Sequence, residues 1–361
     1  MIAAAVAPRI RGKAMTIKSV LILGSSAPGA LENFYTRGFE KCGIAVETYS
    51  TTDQYYALLN KGISNRILNK VSPDSLYRPI NDGLIRYIAN KQFDVILVFK
   101  GMELFPETIV QLKQHAVLTA NYNPDHPFTF YAPGSGNRHI VNSITHYDVH
   151  FSYARKITEQ LQKNYHKPAY CIPFGYNGNL PVPAQNDNSR YSDRVLFIGA
   201  FDRERARYLN ELQSGQVDIY GESKWRSRNL FRPYLRKAYR NQALYGNNYA
   251  EAITSSLGIL NLLRMQNRLE DSHNMRSFEV PGYRGLLVTQ RTTEQCEYFE
   301  ENKEAVFFDS VGELKEKLAY LAAHPSQVRS MKQAAYNRSV SGHYSYDHRS
   351  KQLLHCLQHH F

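Results

Sequence analysis

Short apolar runs, closed by glycine or polar residues and separated by longer helical-looking stretches, recur along this sequence. KSVLILG, AVETYS, FDVILVF, AVLTANY and VHFSY fall in the first half, and RVLFIGA, VDIYG, LGILNLL, GLLVTQ and AVFFD in the second. Runs this short fit buried strands, while segments such as ERARYLNELQ and VGELKEKLAYLAAH carry helical spacing. Strands alternating with helices pair in parallel, because parallel neighbours need a crossover connection. The pattern therefore predicts an α/β fold built of doubly wound, Rossmann-like sheets.

The alternation pauses over PFGYNGNLPVPAQNDNSRYSD, residues 173–193, where proline, glycine and asparagine are dense. A chain of 361 residues also exceeds what one core usually organises. The expected division is a flexible tail at 1–15, a first Rossmann-like domain at 16–175, a linker at 176–192, a second at 193–344 and a terminal helix at 345–361. Met15, just before the first strand, is a candidate natural start. Two such domains in tandem leave a cleft, and ligands bind beyond the carboxyl ends of the strands.

No run of eighteen apolar residues occurs, and the leading MIAAAVAPRIRGKAM is too short in its apolar part to span a membrane or to act as a convincing signal peptide. The expectation is a cytoplasmic protein. Cys42, Cys171, Cys296 and Cys356 are scattered, which suggests neither a zinc site nor a disulfide framework. A net charge of +12 implies an anionic partner: nucleic acid, a membrane surface or a phosphorylated small molecule. The aromatic residues form no RNP-like stacking motif, so nucleic acid is not expected.

After the first strand, GSSAPGALENF places Gly24, Ser25 and Ser26 where a helix N-terminus presents backbone NH groups to an anion. Ser26 replaces the second glycine of a dinucleotide fingerprint, which argues against a cofactor dehydrogenase. An ordinary strand-to-helix turn fits equally well. In TANYNPDHPF, Asp125 and His126 follow a strand; Asp125 can take a proton from a hydroxyl and His126 can hold a phosphate or sugar, or both shape the turn.

In RVLFIGAFDRERARYLNEL, Gly199 ends a strand and Arg203 and Arg205 open the next helix, where a guanidinium fork matches phosphate oxygens. Solvated surface arginines are the plainer alternative. The stretch LGILNLLRMQNRLEDSHNMRSFEVPGYRGLLVTQ concentrates polar residues between two strands. Arg264 leaves the first strand, Asp271 and Asn274 lie in the loop, and Arg276 and Glu279 share one side of a short helix. A carboxylate there can accept both hydroxyls of a ribose while arginines hold a diphosphate; an internal Arg276–Glu279 ion pair is the alternative.

Taken together, LFIGAFDRER, LNLLR, NMRSFEVPGYRGLLV and FFDSVGELKEKLAYLAAHPSQVRSM resemble the C-terminal half of GT-B glycosyltransferases, and in particular the CgeB/YkvP-like branch of the group 1 enzymes. NYNPDHPF, YDVHFSY and IPFGYN resemble the acceptor-side half. The resemblance implies a GT-B fold: two Rossmann-like domains facing a cleft, with the terminal helix crossing back. It implies sugar transfer, as in polysaccharide biosynthesis, from a UDP-, GDP- or dTDP-sugar to a hydroxyl of a glycan, lipid-linked or protein acceptor. Glu279 matches the glutamate that holds the donor ribose, and the glycines after it would let the chain approach the nucleotide. Asn274, Met275 and Arg276 match donor-pocket positions, joined by Gly199, Arg203, Arg205, Tyr220, Gly221 and Arg264. Asp271 stands where related retaining enzymes carry a glutamate, so Asp125, His126 and Asp271 are the catalytic candidates. Neither a cofactor nor a metal is expected. An epimerase on the same scaffold, or a non-catalytic binder of nucleotide sugars or nucleic acid, are the rival readings.

In KWRSRNLFRPYLRKAYR, Arg228, Arg232, Arg236 and Arg240 recur every four residues, as a basic stripe would on one helix. Such a stripe is a solvated face or rests on an anionic membrane. Pro233 interrupts that helix unless it lies in a first turn.

Overall fold

The computed structural model describes residues 16–131 and 134–361, so the expected tail at 1–15 lies outside the described residues. Two compact units emerge. The first is built from the chain up to Ser152 with Thr158–Tyr170 and Ser350–Phe361; the second comprises Tyr153–Ile157 and Cys171–Arg349.

The first unit holds a sheet of β1 (Ser19–Gly24), β2 (Ala45–Ser50), β3 (Phe93–Phe99), β4 (Ala116–Asn123), β5 (Val149–Ser152) and β6 (Ala169–Cys171), in the order β2-β1-β3-β4-β5-β6. Val20–Leu23 of β1 lie in parallel register with Val95–Val98 of β3. Both segments are buried. Helices cover both faces of such a sheet, which is why these strands read as continuous apolar runs and not as an alternation.

The second unit holds β7 (Val195–Ile198), β8 (Val217–Tyr220), β9 (Gly258–Asn261), β10 (Leu287–Gln290) and β11 (Ala305–Phe308), in the order β11-β10-β9-β7-β8. Phe197, Ile219, Leu260 and Val288 share one core with Leu209, Trp225 and Leu314 from the flanking helices. In each unit the chain steps from its first strand to one neighbour and then returns to pair on the other side. The strand order reverses between β1 and β3 in one unit and β7 and β9 in the other, and it is at such switch points that a doubly wound sheet leaves a crevice beyond its carboxyl ends.

Residues 176–192 carry no helix or strand beyond an isolated bridge at Tyr176 and belong to the second unit. The helix Tyr346–Gln358 begins in the second unit, and from Ser350 onward it belongs to the first. The expected helix through residues 224–240 is broken. Lys224–Ser227 forms one turn, and Pro233 opens a second helix, Pro233–Ala238, at its first position, where its missing NH costs nothing. Arg228 and Arg232 sit at the helix ends, so no single stripe forms.

His150 on β5 is buried, and its Nε2–H donates to the Ile144 carbonyl at 2.8 Å. Burial, the dominant cause, holds its pKa down from 6.5 to about 4 despite that hydrogen bond. A depressed histidine stabilises the fold above the unfolded pKa and loses that contribution as pH falls. Stability should therefore decline between pH 6.5 and about 4, by about 3 kcal/mol from this residue. Denaturant titrations across that window check it: His150→Gln should show a shallower pH slope, and an equal slope would exclude His150 as the cause.

Candidate donor site

Asp202 caps the helix Arg203–Leu212, its side chain accepting from the Glu204 and Arg205 NH groups. That cap fixes the first helical turn beside the end of β7. The inward face is Arg205, Ala206, Leu209 and Leu212, so Arg205 turns into the protein while Arg203 is exposed. Arg205 is 8% exposed. Its Nε donates to the Leu262 carbonyl at 3.0 Å, just beyond β9, and its guanidinium lies 5.8 Å from the centre of the Phe197 ring. Burial first, then the positive charges of Arg276 and Arg264, hold its pKa down from 12.5 to about 10.

Arg264 is exposed just beyond β9, and Arg276 opens the helix Arg276–Gly282. The Arg276 Nε is buried without a hydrogen-bond partner. Among the described residues, none of these three arginines has a carboxylate within ion-pair distance. The alternative Arg276–Glu279 ion pair is thus not formed. Glu279 instead accepts a hydrogen bond from the Tyr249 hydroxyl at 3.0 Å. Burial raises the Glu279 pKa against the opposing pull of Arg276 and of that hydrogen bond. Burial and then the Glu279 charge push the Tyr249 phenol well up. Tyr249, on the helix Gly246–Ser255, was not foreseen.

Asn274 and Asn261 exchange amide hydrogen bonds at 3.2 and 2.9 Å, tying the loop to β9. Half-buried Met275 precedes the helix, and its carbonyl accepts from the Glu279 NH at 3.0 Å. Asp271 has a left-handed backbone, φ 53°, and its Oδ1 accepts from the Thr293 NH at 2.8 Å, capping the helix Thr293–Tyr298. Its carboxylate is engaged in holding the fold. His273, unmarked by any local pattern, is fully buried between Glu294, which its Nδ1–H reaches at 2.8 Å, and the Phe174 NH, which its Nε2 accepts at 3.3 Å. Both ring nitrogens are satisfied, and burial lowers its pKa.

Several glycine assignments are corrected. A Cβ on Gly221 would lie 2.2 Å from the Gly199 carbonyl oxygen, which also accepts from Trp225 Nε1 at 2.8 Å. Gly221 thus lets the ends of β7 and β8 close on each other, and Tyr220 is buried against Tyr191. A Cβ on Gly282 would strike the Tyr176 ring at 2.3 Å, and one on Gly285 the Ile253 methyl at 2.4 Å. These two glycines serve internal packing. Pro281 lies inside the helix.

In the first unit, the Ser25 NH donates to Glu32 at 2.7 Å and the Ser26 NH to Asp53 at 2.9 Å. Burial tends to raise the Asp53 pKa, but hydrogen bonds from Ser26, Ser50 and Ser25 hold it at about 2. The loop Gly24-Ser25-Ser26 therefore spends its amides on carboxylates, which corrects the anion-loop reading. Asp125 pairs with Lys100 at 2.7 Å beyond the ends of β4 and β3. His126 is buried, and its Nδ1 accepts from the Phe128 and Thr129 NH groups at 3.2 and 3.0 Å. That nitrogen holds its own turn and leaves the ring proton on Nε2. Among the described residues, no group of three or more His, Cys, Asp or Glu is placed to hold a metal ion, and no helix is long and apolar enough to cross a membrane.

Residues 200–355 match a family described as glycosyl transferase-like. No curated protein sequence matches the chain. In fold it is similar to the HepE protein of Anabaena solved with UDP-glucose, at TM-score 0.61 and 12% identity over 94% of this chain and 99% of that one. It is also similar to sucrose-phosphate synthase from Thermosynechococcus elongatus, at TM-score 0.65 and 10% identity over 93% and 97%. A UDP-N-acetylglucosamine 2-epimerase shares the fold at TM-score 0.52 and 11% identity over 94% and 95%. The fold is GT-B, two Rossmann-like units in one chain.

In the ligand-free protein the positive charges of Arg264 and Arg276 oppose the charged form of buried Arg205. Arg276→Gln should therefore raise the melting temperature without ligand, and added salt should raise wild type more than the variant. A lower melting temperature would mean that Arg276 is held by contacts that outweigh the repulsion.

Proposed function

We propose that this protein transfers a glycosyl group from a nucleotide sugar to an acceptor hydroxyl, with the donor bound by the second unit. The observation that carries this reading is the convergence of Arg205, Arg264 and Arg276 at the crevice between β7 and β9, without carboxylate partners and one helical turn from Glu279. A diphosphate supplies the missing negative charge, and the guanidinium fork donates to its oxygens in pairs. Glu279, oriented by Tyr249, receives the ribose hydroxyls. As the sugar leaves, negative charge grows on the diphosphate, and cations already in place stabilise it without reorganisation.

The match of residues 200–355 to a glycosyl transferase-like family supports transfer over other chemistry on this fold. UDP-glucose is the first donor to try, since a protein of similar fold was solved with it; GDP- and dTDP-sugars follow. The acceptor is a glycan, lipid-linked or protein hydroxyl that meets the first unit. Asp125 is assigned to it there, oriented by its ion pair with Lys100. A thermal-shift screen of nucleotide sugars tests the donor half, because a ligand that binds only the native state raises its melting temperature. Donor isomerised without any acceptor would replace transfer by epimerisation.

Charge-assisted hydrogen bonds are worth roughly 1.5–3 kcal/mol, so Glu279→Ala should weaken nucleotide-sugar binding at least about tenfold. A 2'-deoxy nucleotide should lose affinity for wild type but not for Glu279→Ala; equal discrimination by both would remove Glu279 from the ribose site. The raised Glu279 pKa adds a pH signature. Only the ionised form accepts both hydroxyls, so affinity should climb as pH rises through that shifted pKa and level off above it. The sugar diphosphate has no titrating phosphate there, and Glu279→Gln should flatten the profile.

Asp125→Asn should lower turnover by about 100- to 10,000-fold if it removes a general base, with donor affinity unchanged. Near-full turnover would leave Asp125 a structural partner of Lys100.

A further inference from the structure

The segment that leaves the carboxyl end of β8 carries Arg226, Arg228, Arg232, Arg236 and Lys237, with no acidic residue from Ser223 to Asn241. Among the described residues, none of these five cations has an ion-pair partner. Arg226, Arg236 and Lys237 line one concavity with Pro233 and Asn241. At the tip between the two short helices stand Leu230, 58% exposed, and Phe231, 96% exposed.

The tip is presented by a fixed scaffold. Trp225 is fully buried against Phe197 and Phe201, and its Nε1 donates to Gly199 at 2.8 Å. Asn229 is buried, donating to the Trp225 carbonyl at 2.7 Å and accepting from Arg232 at 3.2 Å. Leu235 is buried in the same core. The neighbours on both sides of Leu230 and Phe231 are thus pinned inward while these two point to solvent.

We propose that this tip docks on an anionic phospholipid surface, with Leu230 and Phe231 entering the boundary between headgroups and acyl chains. Lipid phosphates would occupy the concavity of Arg226, Arg236 and Lys237. The cations alone suit any polyanion. The apolar pair decides for a membrane: an aliphatic leucine adds nothing to stacking on a base, but both side chains partition into lipid.

Sedimentation of the full chain with phosphatidylcholine vesicles, with and without phosphatidylglycerol, tests the proposal. Binding should require phosphatidylglycerol. Burying a leucine or phenylalanine is worth at least about a factor of ten each, so Leu230→Ser with Phe231→Ser should weaken it at least about a hundredfold. Arg236→Ala with Lys237→Ala should also weaken it, while nucleotide-sugar thermal shifts stay unchanged in both variants. Trp225 is the sole tryptophan and is buried, so Phe231→Trp reports insertion as a blue shift on adding vesicles. Absence of binding overturns the proposal, as does binding that survives loss of Leu230 and Phe231. Binding lost instead on Ile63→Ser with Ile67→Ser would place the contact on the helix Ile63–Val71 of the first unit, whose Ile63, Ile67 and Val71 are exposed. Phe231-dependent retention of transfer RNA at physiological salt, without vesicle binding, would assign the tip to nucleic acid.

Discussion

A guanidinium that is buried and charged while two others press on it is costly, and the carboxyl edge of the second sheet is arranged around tolerating one. The drop in the Arg205 pKa from 12.5 to about 10 corresponds to about 3 kcal/mol against the charged form. The fold offsets part of this locally: Nε reaches the Leu262 carbonyl, and Phe197 lies under the guanidinium. Asp202 and Glu204 add a weaker attraction that does not reach ion-pair contact. What is left uncompensated is positive charge facing the crevice. Charge kept in place at that cost is what a preorganised anion site requires, because the ligand then finds its counter-charges already oriented.

The first unit repeats the strand order of the second with the opposite charge at its own crevice. Glu103 is buried and Glu32 half-buried, and burial raises both pKa values, with Asp53 adding repulsion. Their hydrogen bonds are to backbone and hydroxyl groups, not to cations, apart from a weaker attraction of Lys100 for Glu103. Such an edge repels phosphates and accepts hydrogen bonds from hydroxyls. The same topology thus carries two chemistries, set by which side chains follow the first and third strands. That asymmetry supports the proposal of a nucleotide diphosphate in one unit and a hydroxyl-bearing acceptor in the other.

Strands were legible in the sequence because burial on both faces of a parallel sheet leaves uninterrupted apolar runs. Arg205 was legible only as an arginine opening a helix beside Arg203, although it stands four residues before Leu209 and seven before Leu212, on the helix's apolar side. The choice between phosphate ligand and solvated surface had no such marker until the burial was seen. Tyr249 left no signal, since it lies thirty residues before Glu279 on another helix. The glycines after Glu279 read naturally as room for a nucleotide, yet Tyr176 and Ile253 take that space. Asp271 misled for a similar reason: spacing marks a loop acid, but only the fold reveals the helix it caps.

The Tyr249–Glu279 hydrogen bond bears on how a ribose would be held. Tyr249 occupies one lone pair of Oε2, and a carboxylate offers about four acceptor positions. Oε1 and the second lone pair of Oε2 therefore remain for two vicinal hydroxyls, without displacing the tyrosine. A half-buried carboxylate without that donor would be more readily protonated or turned toward Arg276, and either change would close the site to a diol. Tyr249 thus fixes Oε2 and favours the ionised form of Glu279 against burial, as the proposed ribose contact requires.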